Sequence, residues 1–125
     1  MIFGIGTDIV EVARIESSLA QFGDVFAKRI LTADEFAAFA VNQTKPRFLA
    51  KRFAAKEAFS KAFGTGIRGV LTFQSIGVTH DALGKPLLVF SAELQSLLNT
   101  KNITHQHISI SDEKNLAAAF VVLET

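Results

Sequence analysis

The strongest constraint in this chain is the run from Arg47 to Phe63, which contains neither glycine nor proline and is flanked by Pro46 and Gly64. Proline suits the first turn of a helix, where its missing N–H is not needed, and glycine takes the left-handed conformation that ends one. The pattern predicts the longest helix of the molecule, from Pro46 to Phe63. Phe48, Ala55, Phe59, Ala62 and Phe63 recur at helical spacing and form an apolar stripe for packing. The opposite side carries Ala50, Ala54, Glu57 and Lys61, so one carboxylate sits among residues small enough for another backbone or a ligand to approach closely.

Around this helix the chain divides into two regions. Residues 2–10 predict a buried strand that passes into a helix near Glu11, with Asp8 at the strand's end. Residues 11–42 read as helical, with Ala13, Ile15, Leu19, Phe22 and Phe26 as an apolar stripe. Thr32-Ala-Asp-Glu35 is a capping box opening a helix to about Val41. Past the loop from Gly64 to Gly69, residues 75–80, 86–90, 106–112 and 116–123 read as strands. Turn sequences at 81–84 and 112–115 join them into two antiparallel hairpins, and Ser91 caps a helix to about Thr100. The expectation is an α+β fold, one domain over residues 1–125, with an antiparallel sheet, joined by the first strand, packed against the long helix and shorter helices.

Composition excludes several chemistries. Without cysteine there is no disulfide framework, thiolate nucleophile, iron–sulfur cluster or cysteine-ligated zinc. The longest apolar run, Leu116 to Leu123, is far short of the roughly 20 residues that a membrane-spanning helix needs, and MIFGIGTDIV lacks the features of a secretory signal, so the expected location is the cytoplasm. Twelve phenylalanines beside no tyrosine or tryptophan, with a mean hydropathy of +0.31, point to a large core, with a subunit interface as the other place for such surface.

The net charge of +1 conceals a contrast. Residues 45–68 hold Lys45, Arg47, Lys51, Arg52, Lys56, Lys61 and Arg68 against the single acid Glu57. A basic run is ordinarily a solvated face, and Glu57 and Lys61, four apart, make an ordinary helix ion pair. One carboxylate among many cations is also what a metal-assisted phosphate site requires, since cations meet phosphate oxygens and the carboxylate holds the ion. Gly64 and Gly66 serve equally as a helix stop or as backbone amides around an anion. Asp8 is either a helix cap or a hard-cation ligand. Gly4-Ile-Gly6 begins like a dinucleotide fingerprint, but Ile9 replaces the third glycine and no parallel repeat follows. Gly64 to Gly69 lacks the lysine and hydroxyl residue that close a P-loop. His105 and His107 share a strand face, and we assign them no metal.

GIGTDIVEVARIE at 4–16 and FLAKRFAAKEAFSKAFGTGI at 48–67, together with LGKP at 83–86, resemble the signature segments of holo-acyl carrier protein synthase, the small bacterial type of 4'-phosphopantetheinyl transferase. The resemblance implies that Asp8 and Glu57 hold Mg²⁺ with the diphosphate of coenzyme A, that Lys61 contacts that diphosphate, and that Gly64 and Gly66 let the cofactor lie close to backbone. It implies that Arg47, Arg52 and Phe53 line the nucleotide pocket, and that Arg14, extended by Lys28 and Arg29, meets the acidic recognition helix of acyl carrier protein. The implied reaction moves 4'-phosphopantetheine from coenzyme A to a carrier serine, releases 3',5'-ADP and supports fatty acid biosynthesis. Glu57 is the nearer candidate for the serine's base and Glu35 the weaker one. The family's homotrimer, with active sites between subunits, is the expected assembly. One departure is Ser109-Ile-Ser-Asp112, where many relatives place a histidine after the strand. A phosphohydrolase using the same carboxylates is the alternative. A nucleic-acid module built on residues 45–68 is disfavoured by Glu57 and by the missing tyrosine and tryptophan.

Overall fold

A computed structural model describes every residue from Met1 to Thr125. In chain order it contains β1 (Ile2–Glu11), α1 (Val12–Phe22), α2 (Asp24–Ile30), α3 (Ala33–Ala40), α4 (Lys45–Phe63), a 3-10 turn (Phe73–Ser75), β2 (Ile76–His80), β3 (Pro86–Phe90), α5 (Ala92–Thr100), β4 (His105–Asp112) and β5 (Leu116–Glu124). The α+β expectation holds. The locally coded features hold as well: the Thr32–Glu35 capping box forms in full, Ser91 caps α5, and Gly64 ends α4 in the left-handed region at φ 100°.

The sheet differs from expectation. The two hairpins form, but they do not join into one sheet. β1, β5 and β4 make a three-stranded antiparallel sheet in the order β1-β5-β4, and β2 with β3 makes a separate pair. A hairpin is specified by its own turn, whereas the pairing of one hairpin with another depends on contacts distant in sequence. Nor is β1 buried on both sides. Gly6 and Val10 are buried toward α4, while Ile5 and Ile9 stand 59% and 66% exposed on the opposite face.

α4 lies across β1 and β5 and buries twelve of its nineteen residues. Its approach to β1 is close because of glycine: a Cβ at Gly6 would sit 1.9 Å from the Ala58 carbonyl oxygen, and one at Gly4 would sit 2.0 Å from that of Ala62. The pattern that begins like a dinucleotide fingerprint is therefore a packing device. It also sets the site, because Asp8 follows Gly4 and Gly6 on the same strand face and is turned with them toward the helix.

Residues 11–42 form three short helices, broken at Gly23, whose φ of 63° favours glycine. The predicted stripe is correspondingly incomplete: Val12 and Ile15 are buried, while Ala13 and Phe22 are exposed. Of the twelve phenylalanines, Phe39, Phe48, Phe59 and Phe63 are buried and five more pack against the core, leaving Phe3, Phe22 and Phe120 exposed.

Two members of the basic run belong to the interior. The Lys56 ammonium is fully buried and donates to the Ile30 carbonyl (2.6 Å), the Phe73 carbonyl (2.9 Å) and Glu35 Oε1 (2.6 Å). Arg52 is also buried, with Nε 3.4 Å from Glu35 Oε2 and the guanidinium 3.8 Å from the Phe48 ring centroid. Glu35, besides capping α3, accepts from the Val78 amide at 2.8 Å. It is a buried structural counterion, and that role accounts for the residue without catalysis.

Candidate active site

At one end of the β1–α4 contact lies a cleft of about 660 Å³, lined by Asp8 to Glu11 of β1, Arg14 and Ile15 of α1, Phe26 of α2, Phe53 and Glu57 of α4, and Leu116 of β5. The sequence had singled out Asp8, Arg14, Phe53 and Glu57, and the fold brings these four together. Asp8 stands three residues inside β1 rather than at its end, opposite Ala119, and Glu11 occupies the cap position of α1. The cap reading of Asp8 is thereby excluded.

The Glu57–Lys61 ion pair does not form. Lys61 reaches across to β1 instead, donating to Asp8 Oδ1 at 2.9 Å and to the Thr7 carbonyl at 3.0 Å. Glu57 is half-buried, and its carboxyl is held above the usual range by burial first and by the Asp8 carboxylate second, against the pull of Lys61. The Asp8 carboxylate opposes the ionisation of Glu57, and a cation held between them would relieve that opposition. All donor atoms are hard oxygens and the remaining positions face an open cleft, so the pair suits Mg²⁺, which binds through one or two carboxylates and completes its shell with water and substrate phosphate. No third aspartate, glutamate, histidine or cysteine joins them.

The remaining candidates fall elsewhere. Gly64 and Gly66 both direct their amides to the Ser60 carbonyl, at 3.0 and 3.3 Å, so they close α4 and are not free to hold an anion. Lys28 lies 5.0 Å from the Phe36 ring centroid, and Arg29 is exposed in the last turn of α2; neither lines the cleft. Arg52 opens onto a second concavity with Lys51, His80, Gly84, Pro86, Ile110 and Asp112, and Arg47 pairs with Asp112. The sequence named Arg47 and Arg52 for a nucleotide pocket, but grouped them with Phe53, which lines the first cleft, and left out Lys51, His80 and Gly84. The available signals were the contributions of Lys51 to the basic run and of Gly84 and Pro86 to the LGKP match.

A sequence profile of the 4'-phosphopantetheinyl transferase superfamily matches residues 4–121. A holo-[acyl-carrier-protein] synthase of Nitrosospira multiformis is 56% identical over 124 residues, covering 99% of both chains. The crystal structure of holo-[acyl-carrier-protein] synthase from Neisseria meningitidis superposes with a TM-score of 0.97 at 50% identity, covering 100% of both chains. A holo-(acyl-carrier-protein) synthase from Bacillus anthracis, solved in complex with CoA (3',5'-ADP), gives a TM-score of 0.83 at 44% identity, covering 100% of this chain and 98% of that one.

Proposed function

The chain belongs to the 4'-phosphopantetheinyl transferase superfamily as an enzyme of the holo-[acyl-carrier-protein] synthase kind, and we propose that it uses Mg²⁺ at Asp8 and Glu57 to move 4'-phosphopantetheine from coenzyme A onto an acyl carrier protein serine, releasing 3',5'-ADP. The observation that carries the reading is the meeting of Asp8, Glu57 and Lys61, from a strand and a helix, at a cleft that Arg14 also lines.

In the transfer, a bond forms between the serine oxygen and the pantetheine-side phosphorus while the bond from that phosphorus to the oxygen bridging it to the adenosine phosphate breaks. The serine gives up its proton and the nucleotide leaves as 3',5'-ADP. A bound Mg²⁺ would neutralise charge on the phosphoryl group under attack. Lys61, held at Asp8 in the free protein, is the cation placed to swing onto the diphosphate as it arrives. Glu57, which lines the cleft, is the nearer candidate to accept the serine proton. Arg14, exposed at the cleft's edge, suits the acidic helix of the carrier, and Lys28 and Arg29 extend the positive surface.

We further infer a homotrimer with sites shared between subunits. Two features support it: the exposed apolar side chains of β1 and β5 on the outward face of the three-stranded sheet, and the separation within one protomer of the carboxylates from the Lys51–Arg52 concavity, which subunit association would bring to a common ligand. We assign the activity to the cytoplasm and to fatty acid biosynthesis; no helix is long and apolar enough to cross a membrane. Intact-mass spectrometry of an apo carrier protein incubated with the enzyme, coenzyme A and Mg²⁺ tests the proposal. The carrier should gain one phosphopantetheine. Coenzyme A hydrolysed beside a carrier of unchanged mass would make the protein a phosphohydrolase.

A further inference from the structure

The second concavity, of about 160 Å³, is electrically lopsided. Lys51 and Arg52 of α4 and His80 of β2 face a single acid, Asp112 at the end of β4. Burial, then the Arg52 and Lys51 charges, hold the His80 imidazole below its ordinary range against the pull of Asp81, so the positive field is felt by a group within the wall. Arg52 is fixed between the Phe48 ring and Glu35, and its buried Nε has no hydrogen-bond partner. Beside the concavity, though not part of its lining, stands Arg47, which shares the acid Asp112 with it. It precedes Lys51 by one helical turn, and its Nε lies 3.7 Å from Asp112 Oδ2, with the two side chains 38% and 30% exposed.

A guanidinium recognises carboxylate and phosphate with the same donors. The Arg47–Asp112 contact is long for an ion pair and open to water, so a phosphate carrying up to two charges can displace it. We propose that Asp112 is an internal competitor for Arg47: in the free protein it occupies the guanidinium that a phosphate of the nucleotide would take, and so sets how tightly the adenosine 3',5'-bisphosphate end of coenzyme A is held. The consequence falls on both ends of the reaction, because a nucleotide held less tightly raises the coenzyme A concentration needed and also lets the 3',5'-ADP product leave sooner. The proposal rests on the coenzyme A reading above.

Calorimetric titration with 3',5'-ADP tests it on four full-length proteins: wild type, Asp112→Asn, Arg47→Ala and the double variant. Asp112→Asn should tighten binding about two- to fivefold, the scale of one exposed ion pair. In the Arg47→Ala background the same change should shift binding by less than about 1.5-fold, because the competitor then has nothing to release. Unchanged or weaker binding by Asp112→Asn overturns the proposal. An equal gain in both backgrounds also overturns it, since Asp112 would then act on the whole concavity and not through Arg47. If the wild type transfers phosphopantetheine but the variants fail this pattern, only the competitor role falls. If the wild type neither binds 3',5'-ADP nor transfers, the coenzyme A reading falls with it.

Discussion

Lys56 places an ammonium where no water reaches it, and only the Glu35 carboxylate and two backbone carbonyls make that tolerable. Replacing it with Met leaves Glu35 buried with Arg52 as its one remaining cation, at 3.4 Å, and should cost about 3–5 kcal/mol, read as a lower urea midpoint at unchanged slope. His80 supplies a pH dependence. Its folded pKa lies below the ordinary value, so as pH falls below about 6.5 the unfolded chain takes up a proton that the folded chain resists, and stability drops toward the lower folded pKa. The loss in urea midpoint between pH 7 and pH 5.5 should shrink in His80→Gln; an equal loss in both proteins would remove His80 as its source. Glu57 stood out in the sequence as a lone acid in a basic run, whereas Asp8 read locally as cap or ligand and became a candidate metal ligand only through the family resemblance. The interior roles of Arg52 and Lys56 were hidden, since a charge count treats every lysine alike. Their position was readable: Phe48, Arg52, Lys56, Phe59 and Phe63 recur at three- and four-residue steps along one side of α4, so two cations share the buried stripe.

Among the elements, the β1–α4 contact matters most, because it sets the carboxylates against each other. Its closeness depends on two glycines whose missing side chains make room for helix carbonyls. Gly6→Ala would place a methyl 1.9 Å from the Ala58 oxygen with backbone on both sides, and should destabilise the fold by about 3 kcal/mol or more. A melting temperature within a degree or two of wild type would mean that the strand and helix separate readily and that the glycines are not what holds Asp8 in place. Features coded within a few residues, such as the Thr32 box, the Gly64 stop and the two hairpins, could be read from the chain. The gathering of hairpins into two sheets could not, because β1 pairs with β5 across the whole length of the chain and no local signal records which edge a strand will choose.

For the whole molecule, the outward face of the three-stranded sheet is unusual in carrying Ile5, Ile9 and Phe120 at 59%, 66% and 46% exposure, with Phe120 opposite Thr7 and so diagonal to both isoleucines. The mean hydropathy of +0.31 therefore reports more than a core. Light scattering on the eluting protein should give a multiple of the 13.6 kDa chain mass for the wild type and a shift toward the single-chain mass for Phe120→Glu, with transfer lost alongside. A wild-type monomer would remove the shared-site reading. The central claim, that Asp8 and Glu57 together hold the metal that transfer needs, is tested most directly by following carrier mass with Mg²⁺ titrated against wild type, Asp8→Ala and Glu57→Ala, with folding checked by circular dichroism. Carrier modification should rise with Mg²⁺ in the wild type and be lost by a factor of 100 or more, on the order of 3 kcal/mol, in both folded variants. Transfer by the wild type that is indifferent to Mg²⁺ removal, or folded variants that modify the carrier at the wild-type rate, would contradict that claim.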